Sequence, residues 1–148
     1  HAGPEPVYLS YFGTGQPSYY GFKVRRLSFV NNFGFEHHFV PLEAGFYCVS
    51  ATIVQQVYTT VPGPWNLEGE KEYQELRRLE PLFLAYVRDP ARREELNRDA
   101  PADRWQNAMK RHEALRMARL ATYLRARSPD AEAGWSILIY HLTTEEIR

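Results

Sequence analysis

At 148 residues the chain has the length of one domain able to bury a core. Its 18 Lys and Arg balance 18 Asp and Glu, which removes the electrostatic case for nucleic acid or an anionic membrane surface as a partner. No run approaches the ~18–20 apolar residues that span a bilayer, and the single cysteine, Cys48, excludes an internal disulfide.

The first stretch, Val7-Tyr-Leu-Ser-Tyr-Phe12, is rich in β-branched and aromatic residues, which predicts a strand closed by the turn Gly13-Thr-Gly-Gln-Pro17. Phe22–Leu27 alternates apolar and polar residues as a half-buried strand does, and Asn31, Asn32 and Gly34 mark a loop. Pro41–Gly45 turns into Phe46–Val54, an almost continuously apolar run suited to an interior strand covered on both faces, with a short helical extension through Gln55–Val57. The spacing then becomes helical. Tyr73, Leu76 and Leu79 form one stripe over 70–80, Pro81 interrupts or restarts the helix, and Asp89-Pro90 marks a further break. Pro101 opens a long helix to about Ala126, with Trp105, Ala108, Met109 and His112, then Met117, Leu120, Ala121 and Leu124, on an apolar face. Ser128-Pro-Asp130 ends it, and Trp135–Leu142 reads as the last strand.

Composition divides the chain. Residues 1–63 hold 13 of the 21 aromatics but only three basic and three acidic side chains. No linker or repeat separates the halves, so residues 1–148 read as one α/β domain. The expected architecture is a mixed sheet of about four to five strands, packed with a long helix and shorter ones in a two- or three-layer sandwich.

Candidate chemistry is sparse. His37 and His38 would point to opposite faces of a strand, and His112 and His141 lie outside any ligand frame, so no metal site is expected. His1 invites comparison with N-terminal copper chelation, but proteins that use it are larger and disulfide-bonded; a tag remnant explains it more simply. The acids sit mainly on Arg-rich helices, as solvated faces with pairs such as Glu94–Arg98, rather than as the paired carboxylates of a glycosidase. Gly13-Thr-Gly15 lacks the third glycine of a dinucleotide fingerprint, no nucleophile elbow is present, and no cofactor is expected. Two groups could bind a ligand. Tyr11, Gly13, Tyr19 and Tyr20 could form an aromatic sugar-stacking surface, or be core and turn; Ser50, Thr52 and Gln55 could present polar groups at a strand end, or cap a short helix.

Three blocks resemble a known group. Tyr8-Leu-Ser-Tyr-Phe-Gly-Thr-Gly-Gln-Pro-Ser-Tyr-Tyr-Gly21, Leu42-Glu-Ala-Gly-Phe-Tyr-Cys-Val-Ser-Ala-Thr52 and Gly134-Trp-Ser-Ile-Leu-Ile-Tyr140 resemble, in the same order, the C-terminal region of bacterial membrane glycosyltransferases similar to dolichyl-phosphate-mannose protein mannosyltransferases. Residues 60–120 have no counterpart in it. The resemblance implies an extracytoplasmic, periplasmic domain following the last transmembrane helix, a fragment whose partners are the membrane part of the same polypeptide and a glycan or lipid-linked sugar. The catalytic acid of such enzymes lies in a membrane-helix loop outside these blocks, so an accessory role is expected and no catalytic residue carries over. The alternatives are a free-standing small enzyme or ligand-binding domain acting on a sugar or phosphate compound, and a protein-interaction module using the charged helices.

Overall fold

A computed structural model describes residues 5–11, 17–27, 39–57, 59–61 and 63–147. Five strands form one mixed sheet: β1 (Val7–Ser10), β2 (Arg25–Arg26), β3 (Gly45–Ser50), β4 (Ala131–Ala133) and β5 (Ile137–Leu142), in the order β2-β1-β3-β5-β4. β1 runs parallel to β2 and β3, whereas β5 is antiparallel to both β3 and β4. The expected mixed α/β architecture is therefore present.

Alternation along the strands sends Tyr8, Tyr47, Val49, Tyr140 and Leu142 to one face. There they pack with Ile53 and Val54 of α1 (Ala51–Val54) and with Met117, Leu120 and Leu124 of α5 (Ala102–Arg125). At ~1.5 Å per residue, the 24 residues of α5 are long enough to serve a second core. Met109, with Trp105 and Ala108 beside it, packs on Phe39, on Phe83 and Tyr86 of α3 (Glu80–Arg88), and on Leu96 of α4 (Pro90–Asp99). α2 (Leu67–Arg77) packs on α5 as well, and α6 (Thr144–Ile147) follows β5. Val7, Leu9, Phe46, Cys48, Ile137, Ile139 and His141 share the other face of the sheet, where Phe46 stacks on His141 at 4.7 Å.

Local chemistry sets the boundaries. Asn66 caps α2 by accepting from the Gly69 N–H at 2.9 Å, and Asp89 caps α4 by accepting from Ala91 and Arg92, with Pro90 in the first turn. Gly45 is demanded by a close approach: a Cβ there would lie 2.3 Å from the Pro6 carbonyl oxygen, the same oxygen that accepts the Phe46 N–H.

Several boundaries differ from the sequence reading. The apolar run 46–54 is strand only to Ser50; Ala51–Val54 turns into α1, and Ile53 and Val54 stay apolar because they face α5. The stripe over 70–80 divides into α2 and α3, because Pro81 sits in the first turn of a new helix. Phe22–Leu27 is strand only at Arg25–Arg26, and Phe22 is exposed. Trp135 lies before β5, on the turn that joins it to β4. Glu72 pairs with Arg111 across the α2–α5 contact at 2.6 Å, and α4 forms the pair Arg92–Glu95.

Candidate functional site

The two parallel strands β1 and β3 end together, since Ser10 pairs with Val49, and this is the end at which open α/β sheets bind ligands. β5 begins there too, Ile137 being paired with Ser50. The Ala51 N–H donates to the Ser136 carbonyl at 2.8 Å, joining the start of α1 to the hairpin turn. Tyr11 follows β1 and is half-buried. Ser50 is buried, and its hydroxyl neither caps α1 nor meets another hydrogen-bond partner among the described residues. Thr52 is half-buried within α1, and Gln55 is the exposed residue that closes it. Of the two expected groups, Ser50, Thr52 and Gln55 thus stand where β3 passes into α1, and Tyr11 stands just past the end of β1.

Tyr19 and Tyr20 lie on the 3-10 turn Pro17–Tyr20, 86% and 72% exposed, with ring centroids 5.3 Å apart and edge-on. These two rings are not core, but they stand on a turn, the other half of the alternative to a sugar-stacking surface. No hydrogen bond or ring contact links them to Ser50, Thr52 or Gln55 among the described residues. Gly13, His1, Phe12, His37 and His38 lie outside the described residues.

At the opposite end of β1, the buried Tyr8 gathers three segments through its hydroxyl. It accepts from Arg25 at 3.0 Å and from the Glu43 N–H at 2.9 Å, and it donates to the Pro41 carbonyl at 2.9 Å. Tyr8 also stacks on Tyr47 at 4.5 Å, and the Tyr47 hydroxyl donates to the Glu43 carbonyl. Burial and the neighbouring Tyr8 push the Tyr47 phenol well above its ordinary range. This cluster is an anchor for the 39–43 segment, not reactive chemistry.

A second polar group is enclosed between the helices, and the sequence hinted at it only through His112 on an apolar stripe. The His112 ring is fully buried, stacked on Tyr73 at 5.6 Å and flanked by Phe39 and Phe83. Its Nε2 lies 3.1 Å from Glu80 Oε1 but off the line of a hydrogen bond, and Nδ1 has no hydrogen-bond partner among the described residues. Burial lowers the imidazole pKa, against the pull of Glu80. Burial alone would raise the Glu80 carboxyl, but His112, Arg116 and Arg77 hold it below its usual range. Arg116, 4% exposed, donates to the Val40 carbonyl at 2.7 Å, covers Phe39, and lies 3.6 Å from Glu113. Burial raises the Glu113 carboxyl despite that arginine. A fully enclosed imidazole cannot meet a substrate, so this group serves the packing of α2, α3 and α5.

A partly open cavity beside Tyr73, Arg116, Arg119 and Tyr123 measures about 10 Å³, room for about one water. A shallow depression of about 280 Å³ runs along α2 beside Leu67, Lys71 and Arg78. No cluster of three metal-ligating side chains occurs among the described residues. Among them, no helix is long and apolar enough to cross a membrane. No known protein family, curated protein or solved structure matches the chain.

Proposed function

We propose that this chain is an extracytoplasmic accessory domain of a membrane glycosyltransferase, aiding recognition of an acceptor or a lipid-linked sugar without performing transfer itself. The observation that carries the reading is a convergence. The three stretches that resemble the mannosyltransferase-like enzymes, 8–21, 42–52 and 134–140, supply the adjacent strands β1, β3 and β5 and the end at which they meet. Strand residues drawn from stretches spread over 130 positions are thus neighbours in one sheet.

The exposed Tyr19–Tyr20 pair is the favoured sugar contact, because an edge-on ring pair offers an apolar face with hydroxyls at its rim. Titration of the chain with oligosaccharides and with a polyprenyl-phosphate sugar, followed by NMR, tests this. Tyr19→Ala should weaken binding about tenfold while leaving the melting temperature within a degree or so, since the ring is exposed. Shifts confined to other surfaces, or none at saturation, would sink the sugar-contact role. A second reading, a protein-docking module, draws on α4, which is exposed along its length except at Leu96.

A further inference from the structure

Charge is distributed along the central strands in one direction. Residues 6–22, 44–67 and 133–144, which supply β1, β3 and β5, contain no Asp, Glu, Lys or Arg. Ion pairs stand at one end of these strands: Glu5–His141 and Arg25–Glu43 where β1 and β3 begin and β5 finishes, and Arg127–Glu146 just past β5. At the other end, where β1 and β3 finish and β5 begins, these three segments carry no charged side chain, and the charges on the neighbouring strands are Arg26 of β2, level with Leu9, and Glu132 of β4, level with Leu138.

That end presents hydrophobes on ordered backbone. Trp135 is 100% exposed on the β4–β5 turn, which Gly134 shapes with φ +59° and which the Ala51–Ser136 hydrogen bond ties to α1. Val57, 60% exposed, follows α1, and its N–H donates to the Thr52 carbonyl at 3.3 Å. Arg125 borders the segment that follows α1: its guanidinium donates to Gln56 Oε1 at 3.2 Å, while Gln56 Nε2 donates to the Ala118 carbonyl.

An indole held clear of the molecule, without charge on its own turn, suits the polar–apolar boundary of a bilayer, where tryptophan is favoured. A bordering arginine suits lipid phosphate, its stem lying along apolar surface. A saccharide-stacking ring, by contrast, needs directional polar side chains beside its face, and Trp135 makes no hydrogen bond or ring contact among the described residues.

We propose that this end of the molecule docks on the headgroup region of a phospholipid bilayer, with Trp135 inserting and Arg125 meeting phosphate. The proposal goes beyond the accessory-domain reading and is tested on lipid alone, so either can fail while the other stands. The probe is phosphatidylcholine vesicles, with and without brominated acyl chains, read by co-flotation and tryptophan fluorescence. The chain should float with the vesicles, and brominated chains should quench its emission. Trp135→Ser should lower partitioning about tenfold, as expected for withdrawing much of an indole from an apolar phase, and should abolish the quenching. Arg125→Gln and Val57→Ser should each lower partitioning several-fold. Circular dichroism should be unchanged in all three, because the substituted side chains are exposed. Absence of flotation, flotation indifferent to Trp135→Ser, or a Trp135 response to soluble saccharide but not to vesicles would overturn the proposal.

Discussion

Replacing His112 by phenylalanine isolates the enclosed polar group. The ring is fully buried among Tyr73, Phe39 and Phe83, so phenyl keeps the stacking and nearly the volume. Removing a buried nitrogen without a partner relieves about 1–3 kcal/mol, and loss of the misaligned Glu80 contact costs a comparable amount. At pH 7 the variant should therefore lie within about 1 kcal/mol of the parent, whereas His112→Ala should lose about 3–5 kcal/mol through the cavity. The pH dependence separates them further. The folded imidazole has a lowered pKa, so below the ordinary value of about 6.5 the unfolded chain takes up a proton first. Stability is present above that pH and falls as the pH drops toward the folded value, with a limiting slope of about 1.4 kcal/mol per pH unit. Glu113, whose carboxyl is raised by burial, acts in the opposite sense: it stabilises as pH falls through its folded value. It is present in both proteins, so the difference between their urea-melt curves from pH 7 to pH 5 reports His112. A His112→Phe curve parallel to the parent over that window, or a loss at pH 7 as large as that of His112→Ala, would refute this account.

Two further outcomes follow from geometry. Gly45→Ala places a methyl 2.3 Å from the Pro6 carbonyl oxygen, forcing β1 and β3 apart; a loss of about 1–3 kcal/mol or more is expected in chemical denaturation, and a neutral substitution would contradict the close approach. The Glu146 carboxyl should titrate near pH 2, because the Tyr123 hydroxyl and the Thr143 N–H donate to it and Arg127 adds its charge. Its contribution is present above about pH 4.5 and fades as the pH falls toward 2, and carbon-13 NMR of the carboxyl in the parent and in Arg127→Gln checks both the value and its rise.

The parts legible in the sequence are those in which one face decides. The stripe of Met117, Leu120, Ala121 and Leu124 lies buried along α5 because each meets the sheet or its flanking helices. Ile137–Leu142 reads as a strand for the same reason. The strand-to-helix change at Ser50–Ala51 was legible only as the alternative in which Ser50 or Thr52 caps a short helix, because no glycine or proline marks it and Ile53 and Val54 remain apolar in either state. Tyrosine was ambiguous throughout. Tyr8, Tyr47 and Tyr140 are core, with the Tyr8 and Tyr47 hydroxyls bonded to the 41–43 segment, while Tyr19 and Tyr20 are surface, and nothing in their immediate neighbours separates the two cases. Arg116 looked like part of a solvated face. Its burial depends on the Val40 carbonyl, 76 positions away in the chain, which no helical periodicity can reveal.

The central claim, an accessory domain belonging to a membrane glycosyltransferase, is tested most directly by immunoblotting fractionated cells of the source organism with an antibody raised against this chain. The account predicts a membrane-fraction polypeptide several times the 17.3 kDa of this chain, with the epitope accessible from the extracytoplasmic side. A soluble band near that mass, inside the cell, would contradict it.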